Sequence, residues 1–244
     1  QAATILSCLI GLMLAFTLGL GGYFVSLIDE LPPLTEIENP EFQLATIAYT
    51  ADGVELARYA RQNRSWATYD TISPHVINAL WATEDHRFFE HWGMDIFRTV
   101  SSVGQTVLAK LNIPGYAVQG GSTLSQQLAR NLYNKRIGKE QTVGRKLKEM
   151  VTAVQLERRY TKPEIIEMYL NTVEFPYNAW GIEAASRVFY GKDPIELNEL
   201  ESATLVGMLK GITMYNPIRR PERSRQRRNT VLAQMIKRDL LDAS

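Results

Sequence analysis

The stretch PHVINALWATEDHRFFEHWGMD, residues 74–95, decides how the chain is read. Ser73 and Pro74 form a helix-start signal, a side-chain cap followed by proline at the first helical position, so PHVINALWATED is expected to be a helix with Glu84 at its carboxyl end. Beyond it Phe88, Phe89 and Trp92 interleave with Asp85, His86, Glu90, His91 and Asp95. A structural helix would space its apolar residues at three and four and turn its charges away. The pattern is too mixed for a simple core helix.

The rest of the chain sets bounds. Its 244 residues, 45% hydrophobic and 22% charged, can bury a sizeable core. Lysines and arginines number 27 against 26 acids, so the total charge says little and local distribution decides. Cys8 is the single cysteine and there are 3 histidines, which excludes an intramolecular disulfide and a Cys/His zinc set. Residues 1–28 carry no charge and exceed the roughly 20 apolar residues needed to cross a bilayer, so a retained transmembrane anchor is expected there. The apolar region of a cleaved signal peptide is shorter, about 7–15 residues. Residues 29–41 read as a proline-rich, acidic stalk, and residues 42–244 as one mainly α domain. Within the domain, ATIAYTADGVELARYA reads as a β-hairpin about Asp52-Gly53, and Thr161-Lys162-Pro163-Glu164 opens another helix.

Two further stretches carry polar density. In QGGSTLSQQLARNLY, residues 119–133, Ser122 and Thr123 stand at a helix start able to hold an anion, with Thr123, Gln127 and Arg130 on one face. In GRKLKEMVTAVQLERRYTK, residues 144–162, Glu149 follows Arg145 by four and Lys146 by three. Alone, the first is also a capped surface helix and the second an ordinary amphipathic helix. Between residues 130 and 162, however, ten cations from Arg130 to Lys162 face only Glu140, Glu149 and Glu157. Beside an anchor this surplus points to anionic lipid or a phosphorylated ligand rather than nucleic acid, for which no module is present.

ED-x-x-F-x-x-H-x-G-x-D (Glu84, Asp85, Phe88, His91, Gly93, Asp95), GGST-x-x-QQ, RK-x-x-E, and EMYLN with GIEAAS and YGK resemble, in order, the signature blocks of the peptidoglycan glycosyltransferases. That family comprises monofunctional enzymes and the first domain of class A penicillin-binding proteins. The resemblance implies a hexosyltransferase with a lysozyme-like fold and a small membrane-associated lobe at about residues 96–118, where the sequence alone also allows a core helix and loop. It implies a single-pass protein of the bacterial cytoplasmic membrane, with its catalytic domain outside, polymerising lipid II. The acceptor's GlcNAc 4-hydroxyl would attack the donor's MurNAc C1 with inversion, expelling undecaprenyl pyrophosphate.

By matching position Glu84 would be the general base, its pKa raised by the surrounding aromatics. Asp85 would assist by orienting partners, and Glu149 would be the second essential acid, near the pyrophosphate. The resemblance puts Phe88 and His91 of the first block at the substrate, with Thr123, Gln126, Gln127, Arg130 and Asn131 of the second. Arg145 and Lys146 of the third and Asn171 of the fourth join them. It allows a divalent cation (Mg2+ or Mn2+), names no metal ligand, and implies the growing glycan chain, membrane lipid and moenomycin-type inhibitors as ligands.

The chain departs from the family pattern where Arg130 replaces lysine, Gln141 an arginine and Pro176 a glycine. It contains no S-x-x-K transpeptidase motif; the Gln start and the finish at DLLDAS favour a fragment of a bifunctional protein. The arginines from Arg219 to Arg228 read first as a solvated face. A lysozyme-type hydrolase would need no grip on a lipid pyrophosphate, and a non-catalytic scaffold would not need both glutamates.

Overall fold

A computed structural model describes residues 11, 17, 19, 21–23, 25, 26, 30–38, 46–52, 55–59, 63–115, 120–138 and 142–242. The expected anchor lies mostly outside the described residues; among those described, no helix is long and apolar enough to cross a membrane. The fold is mainly helical, as expected. Its helices are α1 (Leu34–Glu38), α2 (Pro74–Glu84), α3 (Ile96–Lys110), α4 (Leu124–Leu132), α5 (Asn134–Ile137), α6 (Val143–Arg159), α7 (Lys162–Thr172), α8 (Gly181–Tyr190), α9 (Glu199–Met208) and α10 (Pro221–Ile236). Strands β1 (Thr46–Tyr49) and β2 (Glu55–Tyr59) pair antiparallel around the Asp52 turn, as the sequence predicts. A second small sheet has the order β3 (Asn63–Arg64), β5 (Ala179–Trp180), β4 (Glu174–Phe175).

The helix starts are set by their caps. Ser73 Oγ accepts from the His75 amide at 3.3 Å and donates to the Leu197 carbonyl at 2.7 Å, so one hydroxyl caps α2 and ties it to the segment before α9. Thr161 and Glu164 form a reciprocal capping box on α7, and Asn198 and Glu201 another on α9. Helix α7 is buried nearly all round, through Ile165, Ile166, Met168, Tyr169 and Leu170, which makes it the central helix. Helix α4 packs on α6 and α7, while α2 packs on α9 and α10. The two groups meet at the end of α2 and the flank of α4.

The segment read as a stalk is docked. Ile37 is buried, Tyr160 donates its hydroxyl to the Ile37 carbonyl at 2.8 Å, and Glu30, Glu36 and Glu38 pair with Lys148, Arg136 and Arg159 at 2.7, 2.8 and 2.8 Å. The cationic surplus of residues 130–162 is therefore partly neutralised by acids that lie about a hundred positions earlier. Ile37→Ala is expected to lower stability by roughly 2–4 kcal/mol, the usual cost of emptying a buried aliphatic site, read as a lower urea midpoint.

Helix α3 does not belong to the core, so the core-helix alternative is set aside. Ile96, Phe97 (78% exposed), Val100 (66%), Val107 and Leu111 stand in solvent. Ile96, Val100, Val107 and Leu111 recur at four, seven and four residues and so share one face.

Candidate active site

Glu84 is the last residue of α2, because Asp85 turns the backbone out of the helix at φ −154° and ψ 78°. Asp85 is fully buried, and three groups converge on its carboxylate. Oδ2 accepts from the amide of Leu124, the first residue of α4, at 2.9 Å, and lies 3.0 Å from His91 Nε2. Oδ1 accepts from Arg98 Nη1 of α3 at 3.1 Å. The Gly93 amide donates to His91 Nδ1 at 3.2 Å, so the ring carries its proton on Nε2 and donates it to Asp85.

Gly93 is required by geometry. Its φ is +103°, and a Cβ there would lie 2.8 Å from the Ala153 carbonyl carbon and oxygen and 2.9 Å from the Val154 nitrogen, all backbone of α6. Its carbonyl accepts from Thr123 Oγ1 at 2.7 Å, and the same hydroxyl caps α4 by accepting from the Gln126 amide at 3.2 Å. Gly93→Ala is expected to cost roughly 2–4 kcal/mol, from the left-handed φ and the forced backbone shift together, measured as a fall in thermal midpoint.

The groups placed at the Glu84 carboxylate are polar. Tyr169, whose pKa burial pushes up so that it stays a neutral donor, gives its hydroxyl to Gln127 Oε1 at 3.2 Å. That fixes the amide, leaving Gln127 Nε2 to donate to Glu84 Oε2 at 3.4 Å. Arg227 Nη2 of α10 stands 3.7 Å from Glu84 Oε1, with both side chains largely covered (15% and 16% exposed). The aromatics expected to shield Glu84 also pack on one another. Trp81 meets Phe89 edge-on at 5.5 Å, Phe89 meets Phe88 at 5.3 Å, Phe88 lies in the core beneath Lys162, and Trp92 is exposed.

On the preceding residue of α4, Gln126, the pattern repeats with opposite charge. Lys146 Nζ donates to Ser122 Oγ at 2.7 Å, Gln126 Oε1 at 2.8 Å and Glu149 Oε2 at 2.9 Å, which uses all three of its protons. Burial, against the pull of Glu149, leaves its pKa below the ordinary lysine value. Glu149 is buried, Arg145 Nε lies 3.6 Å from its Oε1, and Gln126 Nε2, Arg145 Nε and Glu149 Oε1 each lack a hydrogen-bond partner in the described structure. Arg130 is close enough to act on both Lys146 and Tyr169. With Gln127, Asn131, Tyr169 and Trp180 it lines a cleft of about 390 Å³. Helix α4 is thus a ridge with Glu84 on one side, reached by Gln127, and Glu149 on the other, reached through Lys146 by Gln126. Among the described residues there is no group of three or more His, Cys, Asp or Glu that could hold a metal ion, and Glu149 faces two cations.

A family model described as Transglycosylase matches residues 52–236. The chain belongs to the transglycosylase family. It is 37% identical over 228 residues to penicillin-binding protein 1A of Aquifex aeolicus, covering 93% of this chain and 30% of that protein. It is 37% identical over 218 residues to penicillin-binding protein 1A of Escherichia coli, covering 88% and 24%. Penicillin-binding protein 1A/1B of Bacillus subtilis is 36% identical over 237 residues, covering 96% and 25%. The chain thus spans between about a quarter and a third of the length of these relatives. A crystal structure of penicillin-binding protein 1A from Haemophilus influenzae matches 83% of this chain and 20% of its own at 21% identity, with a TM-score of 0.43.

The fold of this transglycosylase sorts the residues that the blocks single out. Glu84, Gln127, Arg130, Asn131, Arg145 and Lys146 are partly exposed around α4, with buried Glu149 behind Lys146. Phe88, His91, Thr123, Gln126 and Asn171 are buried. Thr123 is used by Gly93 and Gln126, and Asn171 by the Ala67 amide and carbonyl at 2.9 and 2.7 Å. Physically, a buried polar side chain must find its partners inside. Three residues at the site were not picked out from the sequence: Tyr169, Arg98 and Arg227. The first sits in EMYLN and the last in the arginine run taken as a solvated face; nothing in the local sequence distinguishes Arg227 from its neighbours.

Proposed function

We propose that this transglycosylase domain polymerises lipid II into glycan strands. The GlcNAc 4-hydroxyl of one substrate attacks the MurNAc C1 of the other with inversion, and undecaprenyl pyrophosphate departs. The observation that carries this reading is the pair of glutamates flanking α4, one in a polar setting fit for proton transfer and one set among cations. An alcohol is a weak nucleophile near neutral pH, so a carboxylate within hydrogen-bond reach must take its proton as the new bond forms. Glu84 does this, oriented by Gln127, with Arg227 beside it to offset the charge of the carboxylate between turnovers. The C1–O bond breaks toward the pyrophosphate, whose growing negative charge is met by Arg130, Arg145 and Lys146, held in place by Glu149 before the reaction starts. A divalent cation, where one takes part, would arrive on the donor's phosphates. Asp85 sits at the centre of its hydrogen bonds and positions the loop.

The exposed apolar face of α3 supports a membrane-associated lobe within a lysozyme-like fold, seated on the outer surface of the bacterial cytoplasmic membrane where a lipid-linked donor resides. Moenomycin-type inhibitors would occupy the cleft beside Arg130 and Asn131. The test is incubation of the chain with labelled lipid II in detergent, with products resolved by length. A ladder of glycan strands that a muramidase digests supports the reading. Shortening of preformed glycan with no ladder from lipid II would move the domain to the hydrolases.

A further inference from the structure

We infer that Arg98, on α3, is a positioning residue for Glu84, an inference that rests on the reaction proposed above. Glu84 ends α2, so its carbonyl has no partner within the helix. Arg98 Nη2 fills that vacancy at 2.8 Å, while Nη1 of the same guanidinium reaches Asp85 Oδ1 at 3.1 Å. One planar fork thus holds two consecutive residues, the base and the residue after it. Among the described contacts Arg98 brings a permanent positive charge to the buried Asp85.

Arg98 is itself fixed at both ends. Asp95 caps α3 by accepting the Arg98 amide at 2.9 Å, and Arg87 braces Asp95 at 3.3 Å. One turn later Ser102 abuts Gly121, where any Cβ would collide with its hydroxyl, at the approach to α4. Arg98 and Ser102 lie half a turn around α3 from Ile96, Val100, Val107 and Leu111. The polar face of α3 therefore bonds the end of α2 and lies against the approach to α4, and its apolar face is the one left in solvent. A lysine cannot replace the fork, since an ammonium can face Asp85 but cannot bond both acceptors in the same plane.

The experiment compares the parent, Arg98→Ala and Arg98→Lys by steady-state turnover of lipid II, by thermal midpoint and by hydrogen exchange of the amides from residue 84 to 90. Expected for Arg98→Ala is a fall in kcat of at least tenfold with KM within twofold. Exchange in the 84–90 segment should be at least tenfold faster while α7 keeps its protection, and Arg98→Lys should fall between. Parent kcat and parent exchange in Arg98→Ala would overturn the role, as would equal losses in kcat, KM and exchange across the whole domain, which would make Arg98 a general structural residue. Failure of the parent to polymerise lipid II would refute the proposed reaction instead, and unchanged 84–90 exchange in Arg98→Ala would then still refute the positioning.

Discussion

Glu84→Gln is expected to lower glycan synthesis by about 10²–10⁴-fold, the usual worth of a positioned general base. The substitution is nearly isosteric. Gln127 Nε2 can still donate to the oxygen that replaces Glu84 Oε2, and the ion pair lost, with Arg227 at 3.7 Å, is a long one. Fold and donor affinity should therefore stay near the parent's while kcat collapses. The measurement is initial rate on lipid II alongside a binding titration with a moenomycin-type inhibitor. A variant within tenfold of the parent's rate would remove Glu84 from the chemistry.

The second large effect belongs to Glu149. Its carboxylate is 1% exposed and lies 2.9 Å from Lys146 and 3.6 Å from Arg145, with Arg130 nearby. Glu149→Ala leaves these cations facing one another with no counterion. Breaking a fully buried pair costs about 3–5 kcal/mol, and Lys146 is 30% exposed, so solvent screening brings the expected loss to roughly 2–4 kcal/mol. Urea unfolding reads this directly. Turnover should fall as well, since Arg145 and Lys146 lose the geometry in which they meet the leaving group. The double variant Glu149→Gln with Lys146→Met separates the two roles, because it removes both charges at once. It should regain part of the stability and none of the turnover. Recovery of both would mean that the pair is structural alone.

Local chemistry made much of this legible in the sequence. Ser73 with Pro74, Thr161 with Glu164, and the Asp52 turn mark element boundaries through residues within four positions of each other, and the structure places them as read. The spacing of Arg145, Lys146 and Glu149 on one helix likewise predicted the contacts seen. Misreadings arose where contacts are distant in sequence. Glu30, Glu36 and Glu38 read only as acids of a stalk, because their partners on α5 and α6 lie about a hundred residues later. Arg227 looked like one cation among six until the fold brought α10 against the end of α2. The aromatics after Glu84 were expected to surround it because they neighbour it in sequence. The turn at Asp85 instead directs Phe88 into the core, while Phe89 and Trp92 stand half exposed. Similarly, residues 96–111 fit either a core helix or an exposed lobe, since periodicity shows which residues share a face but not what covers it.

The most direct test of the central claim, that an alcohol held at Glu84 displaces a lipid pyrophosphate, is the fate of the donor's anomeric carbon. Lipid II carrying 13C at MurNAc C1 would be followed by NMR during turnover by this chain. The account predicts a new signal for a glycosidic bond to GlcNAc O4, of configuration opposite to that in the donor, appearing in step with released undecaprenyl pyrophosphate. A free reducing MurNAc, with water as the nucleophile, or a linkage of retained configuration would contradict it.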